Sequence, residues 1–332
     1  MIARSTFLAL AAAAAAAPPA LVAAQEYDPA MSATTPELRV LLGRGTLLGA
    51  GVNGFTFDGR AYRGRAAQLA DGSVVNTLSL EQYLYSVVPR EMTTSWPPAA
   101  LQAQAICART YVLQRSDPQR GYDVVPSELD QVYSGIGTET PAGTAAVNAT
   151  QGVVLRFGDA YARAMYSSCC GGHTEAANDA WGGAPIPYLG GVTCTTCTAS
   201  PYYRWRREID IATIAAAFAT ELQPFGSLQV VQLVDRDRSG RARSIVLRAE
   251  HGTVAVKGAT FRLRVGPRVV PSLLISSFEG STEAPERVVI EGDGLGHGVG
   301  LCQWGARGLA LGGATFSDIL HFYFPGTASV HE

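Results

Sequence analysis

The sequence is poor in charge of either sign. Only 16% of its 332 residues are Asp, Glu, Lys or Arg, and the formal net charge at pH 7 is −2. A protein that binds nucleic acid through its phosphates needs a basic surface, and this composition does not supply one. A polybasic patch for lipid headgroups is missing too. We therefore expect no nucleic-acid partner.

Long apolar runs are missing beyond the first residues. Residues 1–24 combine a basic residue, Arg4, an apolar run over Phe7–Ala17 and a small-residue site at 22–24. This pattern is typical of a secretory signal peptide, although an Ala-rich tail is the alternative. No later segment approaches the roughly 20 apolar residues of a membrane helix. We expect an exported protein, in the periplasm or in the cell wall and medium, without a membrane span in the mature chain.

The regular βαβ alternation of a doubly wound sheet is also missing. Residues 25–37 are polar and predict a linker, and residues 38–78 form short β-type runs between Gly, Asn and Asp turns. Further strands are predicted over 150–168, 185–193, 228–234, 244–249, 253–256 and 288–290, and helices over 211–222 and 318–322. We expect an α+β fold over residues 38–328, with a β-rich lead-in, as one large domain or two packed subdomains.

Helix signals stand on both sides of Glu91. Ser79 and Gln82 fit a capping box for a helix over Leu80–Val88, which Pro89 would end. A second helix is predicted from a capping Ser95 to near Gln114, with a buried stripe made mostly of Ala. Something must pack very close to such a stripe.

Glu91 thus falls between two predicted helices, flanked by Met92 and Trp96. A carboxyl group shielded by apolar neighbours keeps its proton more readily, as a general acid must. Spacing alone nevertheless favours a surface Glu that pairs with Arg90 or assists the positive end of the next helix. Two other carboxylates, Asp130 and Glu175, are weighed as helpers and are expected to be structural.

Glycines recur at alternate positions over residues 292–300, which lets a backbone pass close to a ligand. The Gly-Lys-Ser/Thr sequence of a phosphate loop does not follow. His297 within this stretch either acts on a substrate or is a hydrogen-bonded structural His. Gln303 and Trp304 could bind a sugar by hydrogen bonding and ring stacking, and a place in the core is the alternative for the Trp.

Thiols are concentrated in two segments, Cys-Cys-Gly-Gly-His at 169–173 and Cys-Thr-Thr-Cys at 194–197. Their spacing suits a closed, structural zinc site, with Cys169 or Cys170 as one ligand. Disulfides are the alternative in an oxidising compartment, but this spacing would strain them. His173, Cys194 and Cys197 are the other candidate ligands. Cys107 and Cys302 are expected to be buried small hydrophobes.

Taken together, these segments resemble the stage II sporulation protein D (SpoIID/LytB, amidase-enhancer) family. The resemblance is carried by Val-Pro-Arg-Glu-Met at 88–92, Ser-Trp-Pro at 95–97, Ala-Arg-Thr-Tyr at 108–111, Gln-Val-Tyr-Ser-Gly at 131–135, Tyr-Ser-Ser at 166–168, Gly-Gly-His-Thr-Glu at 171–175 and Gly-His-Gly-Val-Gly-Leu-Cys-Gln-Trp-Gly at 296–305. The motifs occur in the family's order from about Leu38 to Thr327, over nearly the whole expected mature chain.

The resemblance implies a lytic transglycosylase that cleaves peptidoglycan glycan strands, preferring strands that amidases have stripped of stem peptides. The family's catalytic acid/base falls on Glu91, which overturns the surface interpretation. Substrate-binding candidates are Arg109, Tyr133, Ser168, His297 and Gln303. Some members carry zinc near the Gly-Gly segment, which supports the metal interpretation for Cys170, His173, Cys194 and Cys197 without fixing the ligands. Cys302 stands where Ser is usual, which argues against an essential role for it.

Two other functions remain open. Some family members enhance a cell-wall amidase, so a non-catalytic glycan-binding enhancer is the first alternative. A thiol or zinc hydrolase that attacks stem peptides is the second. It would need an open metal position or an activating His beside a thiol, and no such His is indicated for Cys107 or Cys302.

Overall fold

The computed structural model describes residues 36–49, 54–117, 119–127, 129–279 and 286–332. The predicted signal peptide lies outside the described residues, as does the predicted linker except for residues 36 and 37. In the described part, helices and several small sheets confirm the α+β prediction. None of the helices found there is long and apolar enough to cross a membrane.

Helices and strands follow one another irregularly. The helices are α1 (Leu80–Glu91), α2 (Pro98–Arg115), α3 (Pro141–Asn148), α4 (Ala177–Trp181), α5 (Ile211–Ala217), α6 (Ala219–Leu222), α7 (Gly258–Val265), α8 (Gln303–Leu311) and α9 (Phe316–Tyr323). The strands are β1 (Glu37–Arg44), β2 (Leu47–Leu48), β3 (Gly54–Phe57), β4 (Arg60–Arg63), β5 (Arg65–Gln68), β6 (Ser73–Ser79), β7 (Val153–Phe157), β8 (Ala160–Tyr161), β9 (Tyr166–Ser167), β10 (Trp205–Asp210), β11 (Leu228–Arg236), β12 (Ala242–Ala249), β13 (Gly252–Lys257), β14 (Leu274–Glu279), β15 (Arg287–Asp293), β16 (Leu301–Cys302) and β17 (Ala328–His331).

The first hydrophobic core draws on both ends of the described chain. Its sheets have the orders β1-β6-β5, β2-β3-β4 and β17-β7-β8, and the short strands β9 and β16 pair in parallel. Helix α2 lies at its centre and contacts α1, α3, α8, α9 and β7. Ala105 and Ala108 of α2 are fully buried, as the Ala-rich stripe predicted. Small side chains let these neighbours approach the helix closely.

The second hydrophobic core comes from the intervening stretch of sequence. It is built from the sheets β10-β15-β14 and β11-β12-β13 and from helices α5 and α7. Phe218 and Phe261 stack at its centre with ring centroids 6.0 Å apart. The chain leaves the first core before β10 and returns to it after β15.

The ends of the two central helices differ from the prediction. The capping box of Ser79 and Gln82 forms as predicted, but α1 continues through Pro89. Pro89 has no N–H and therefore cannot donate to the carbonyl of Tyr85, but the helix ends only two residues later. Ser95 does not cap α2: the N-cap is Pro97, without a side-chain hydrogen bond. Proline has no N–H, so a helix that begins with prolines has fewer donors to satisfy.

One further prediction is wrong, and another is right except for an interruption. The strand expected over 185–193 is a short 3-10 helix, Pro187–Leu189, followed by a turn at Gly190 and Gly191. The helix expected over 211–222 is divided into α5 and α6 at Phe218. Helices α3, α4, α7 and α8 were not predicted. The glycines within α7 and α8 lower the helix propensity of those segments, and packing on the cores outweighs that local preference.

Candidate functional site

Glu91 is the last residue of α1 and is half-buried. Its Oε1 atom accepts a hydrogen bond from the backbone N–H of Val132 at 3.3 Å. Buried Met92 follows it, as the sequence indicated. The carboxylate lies at the carboxyl end of a helix, where the helix dipole disfavours negative charge. The segment around Val132 and the end of α1 therefore position one acidic group.

Two buried tyrosine hydroxyls lie near this carboxylate. Burial raises the pKa of Tyr83 and of Tyr166 well above the usual value, and the negative charge of Glu91 adds to both shifts. The Tyr166 hydroxyl faces Gln131 without reaching hydrogen-bond geometry. Both phenols stay protonated at neutral pH and can donate. Tyr83 precedes Glu91 by about two turns of α1, so helical periodicity could have indicated it.

The two possible helper carboxylates are each held by an arginine. Asp130 accepts a hydrogen bond from Tyr111 at 3.2 Å and pairs with Arg115 at 3.1 Å. Glu175 is buried, accepts a hydrogen bond from a serine hydroxyl and lies 3.6 Å from Arg241. These contacts are those of structural groups, as expected.

An aromatic surface follows Glu91. Trp96 and Trp304 meet edge to face, with ring centroids 4.9 Å apart. The guanidinium of Arg307 lies over both rings, at 5.9 and 5.3 Å from their centroids. Gln303 beside Trp304 points instead into the core, where its amide donates to Gln104 at 3.3 Å. The half-buried Trp pair is therefore better placed than Gln303 to meet a ligand.

Two of the substrate-binding candidates have structural contacts. Arg109 is 1% exposed and its guanidinium forms a two-pronged ion pair with Glu81, at 2.8 and 2.6 Å. Tyr133 is 3% exposed and donates to Asn76 at 2.8 Å. The segment that contains Tyr133 still serves the site, because its neighbour Val132 binds Glu91.

The other two candidates are half-buried. The carbonyl of Ser168 accepts a hydrogen bond from the backbone N–H of Trp304 at 3.0 Å. Nδ1 of His297 accepts the N–H of Val299 at 3.0 Å, and its ring packs against Trp181 at 5.2 Å. Burial lowers the pKa of His297 to about 4, so the imidazole is neutral at physiological pH. These contacts are those of a hydrogen-bonded structural His, which is one of the two roles that the sequence left open.

Gly298 and Gly305 lie very close to other parts of the protein. Gly298 has a φ of +80°, and a Cβ there would lie 2.3 Å from the guanidinium of Arg241. At Gly305 a Cβ would lie 2.6 Å from the sulfur of Cys194. A larger residue at either position would displace buried groups. These glycines therefore allow close packing around the thiols described next.

Four buried thiols converge in the first core. Their sulfur atoms lie within 4.8 Å of one another and belong to Cys170, Cys194, Cys197 and Cys302. The Cys170 and Cys197 sulfurs are 3.7 Å apart. A disulfide requires about 2.05 Å, whereas two sulfurs bound 2.3 Å from one tetrahedral zinc lie about 3.8 Å apart. The spacing fits a metal better than disulfides, and the cysteines of the described residues are all unpaired thiols.

Cys302 occupies the place in this cysteine cluster that we predicted for His173. The Cys302 sulfur accepts backbone N–H groups of Cys170 at 3.2 Å and Gly305 at 3.3 Å. Such donors stabilise a thiolate, the form that binds zinc. Nδ1 of His173 instead lies 2.6 Å from the carbonyl of Thr174. Cys302 is buried as expected, but its sulfur lies in the cluster, which the sequence did not predict, while Cys107 is buried apart from the cluster.

The fold and site define an α+β protein with one positioned glutamate and a buried cysteine cluster. Residues 70–157 match the model of the SpoIID family, described as stage II sporulation protein. Residues 193–300, which include the second core, match a domain of unknown function, DUF8618.

Related proteins cover most of the chain. It is 32% identical to an uncharacterized protein of Brachyspira hyodysenteriae, over 82% of this chain and 73% of that protein. It is 29% identical to stage II sporulation protein D of Bacillus subtilis, over 76% of this chain and 75% of that protein. It is 27% identical to the amidase enhancer of Bacillus subtilis, over 74% of this chain but 40% of that longer protein. The chain belongs to the SpoIID family.

Proposed function

We propose that the protein is a peptidoglycan lytic transglycosylase with Glu91 as its catalytic acid/base. The observation that carries the proposal is the placement of Glu91: half-buried at the end of α1, bound by the Val132 N–H and beside two protonated tyrosine hydroxyls. A single carboxyl group held in this way can both give and take a proton. The family membership supports the same assignment.

The reaction would proceed in one active site without added water. Protonated Glu91 donates its proton to the glycosidic oxygen between MurNAc and GlcNAc, and the bond from that oxygen to the muramyl anomeric carbon breaks. The muramyl C6 hydroxyl attacks the anomeric carbon, and the Glu91 carboxylate takes its proton. The products are a 1,6-anhydroMurNAc end and a new GlcNAc end. Glu91 returns to its starting state.

One carboxylate suffices for this chemistry. Ordinary glycosidases need two, because a second group must act as nucleophile or activate water. Here the nucleophile is part of the substrate, which also gives it the advantage of a tethered reactant. The ion pairs of Asp130 with Arg115 and of Glu175 with Arg241 are consistent with a single reacting carboxylate.

The cysteine cluster would hold a zinc ion with a structural function. Its four sulfur donors would fill a tetrahedral coordination shell, which leaves no position for substrate. Bound zinc would cross-link segments around Cys170, Cys194 and Cys302 and so support the first core. A closed shell and the absence of an activating His in the cluster also argue against a thiol or zinc hydrolase.

The cell wall is the proposed location of this activity. The names of the relatives, stage II sporulation protein D and amidase enhancer, support a role at peptidoglycan outside the cytoplasm. The signal-peptide pattern over residues 1–24 supports export, and a cell-wall amidase would supply stripped strands. The similarity to the amidase enhancer also favours a second candidate function, a non-catalytic glycan-binding enhancer.

Mass spectrometry of digested peptidoglycan tests the proposal. Amidase-treated strands are incubated with the wild type, with Glu91→Gln and with a control variant, Glu208→Gln. Glu208 is an exposed residue of β10. We expect 1,6-anhydroMurNAc ends from the wild type and the control, and a loss of at least about 100-fold for Glu91→Gln. Hydrolysed reducing ends would refute the transglycosylase. Amidase stimulation by Glu91→Gln, without anhydro products from any form, would identify an enhancer.

A further inference from the structure

A cleft with a volume of about 890 Å³ lies beside the end of α2 and the residue that precedes β9. Its lining includes Met165, the residue before Tyr166, and Tyr111, whose hydroxyl donates to Asp130. Asp130 precedes Val132, the hydrogen-bond donor to Glu91, by two residues. Two lining residues of the cleft are thus connected to the surroundings of Glu91, Met165 through the peptide chain and Tyr111 through its hydrogen bond to Asp130. Its volume is in the range of sites that bind small molecules or short oligomers.

The cleft is basic, in a protein whose net charge is slightly negative. Its described lining contains Arg115, Arg120 and Arg163 and neither Asp nor Glu. Arg115 pairs with Asp130 and lies over the Tyr111 ring. Arg120 and Arg163 are exposed, and within the described residues neither has an ion-pair partner. Two guanidinium groups are thus available for an anionic ligand, which they would bind as forked donors.

The cleft also presents aromatic faces. Trp181, at the end of α4, is 54% exposed, which is unusual for so large an apolar side chain. Phe157 is 40% exposed, and its ring lies 5.0 Å from that of Tyr188. Exposed aromatic rings grouped in a concave surface mark ligand sites. A pyranose ring has an apolar face of C–H groups that packs on such rings.

We propose that this cleft binds an acidic saccharide, with Trp181 against a sugar ring and with Arg120 and Arg163 against carboxylates. The inference rests on the proposed function and names the group on the strand that the enzyme recognises. A muramyl residue without its stem peptide carries a free lactyl carboxylate, whereas a substituted residue carries a neutral amide at the same atom. The two arginines would then recognise the lactyl carboxylate, a group that only a stripped muramyl residue exposes.

Binding is measured on the full chain with Glu91→Gln, so that the ligand is not consumed. The two ligands are glycan strands stripped by an amidase and the same strands with their lactyl carboxylates converted to amides. We expect tighter binding of the acidic strands, with an advantage that falls as salt is added. Arg120→Gln and Arg163→Gln should each weaken binding of the acidic strands about fivefold and leave the amidated strands unaffected.

Two further variants separate charge from stacking. Trp181→Ala should weaken binding of both ligands, because it removes the ring and not the charge. Arg248→Gln, an exposed change on β12 in the second core, should alter neither. Circular dichroism of each variant checks the fold. If Trp181→Ala does not fold, the binding measured with Arg120→Gln and Arg163→Gln decides the test.

Equal affinity of the parent protein for acidic and amidated strands would overturn the proposal. Unchanged binding by the double variant Arg120→Gln/Arg163→Gln would do the same. These results are independent of the proposed function, because product analysis tests the chemistry separately. Charge-selective binding without anhydro products would leave the cleft in place and refute the transglycosylase. Anhydro products without charge selectivity would refute the cleft alone.

Discussion

Arg109 lies in the first core, where Glu81 on α1 accepts hydrogen bonds from two of its guanidinium nitrogens. A third nitrogen donates to the carbonyl of Val153 at the start of β7. The side chains of Arg109 and Glu81 are 1% and 7% exposed. A buried pair of this kind costs much desolvation energy when it forms, but removing one partner leaves an uncompensated charge. The ion pair and the hydrogen bond to Val153 therefore join α1, α2 and β7.

The variant Arg109→Met should therefore destabilise the protein by about 3–5 kcal/mol, measured by urea unfolding. The double variant Arg109→Met/Glu81→Leu should lose less, because no buried charge remains unpaired. Arg65→Met is the control: its pair with Glu37 is exposed, at 56% and 57%, and its loss should change little. Full stability of Arg109→Met together with lost glycan binding would instead support the substrate-binding role.

For Glu91, only the family resemblance favoured a catalytic role, and that role stays a prediction. Local spacing favoured a surface carboxylate, because nearby residues do not reveal what else packs against a side chain. The Val132 N–H and the tyrosine hydroxyls come from other segments or from two turns away. A motif can therefore indicate an acidic residue, while its surroundings depend on the tertiary fold.

At the scale of elements, the beginning of α1 shows local chemistry that sequence predicts well. Ser79 accepts the Gln82 N–H at 3.3 Å, and the Gln82 side chain accepts the Ser79 N–H at 3.4 Å. The same reasoning placed a cap at Ser95, where α2 instead begins after Pro97 without a capping side chain. Pro97 and Pro98 have no backbone N–H, so the start of α2 has fewer donors for a cap to satisfy. The Ser-x-Pro sequence alone does not show where the helix begins.

Ser79→Ala should therefore destabilise the protein by about 1 kcal/mol, since it removes a cap that is in use. Ser95→Ala should have almost no effect, because this exposed serine forms no cap. Thermal or urea unfolding of the two variants gives the comparison directly. Equal losses for both would mean that Ser95 also holds its helix in solution.

At the scale of the whole molecule, the cysteine cluster joins segments that lie between 24 and 132 residues apart along the chain. Cys302 enters it from the start of α8, beside β9 and the Cys170 segment. The C-x-x-C spacing indicated Cys194 and Cys197 correctly as neighbours in the cluster. No spacing rule connects Cys302 with these two residues. His173 was therefore predicted as the fourth ligand, because it is close to Cys170 in the sequence.

The purified protein should contain about one zinc ion, and removing it with a chelator should lower stability by about 3 kcal/mol or more. Cys302→Ala should lose the metal and His173→Ala should keep it, as should the control Cys107→Ala, since Cys107 is buried apart from the cluster. Elemental analysis with unfolding curves measures both effects. Metal retained by Cys302→Ala but lost by His173→Ala would restore the ligand set predicted from sequence.

The sequence by itself determined the features that depend on near neighbours: the α+β class, the capped start of α1, the Ala-rich face of α2 and the close pair of thiols in C-x-x-C. Each follows from periodicity or from contacts a few residues apart. Only the tertiary structure decided that Arg109 is paired in the core, that Cys302 completes the cysteine cluster and that three arginines share one cleft. These features depend on which distant segments pack together, and that is set by the burial of whole helices and sheets rather than by local preference.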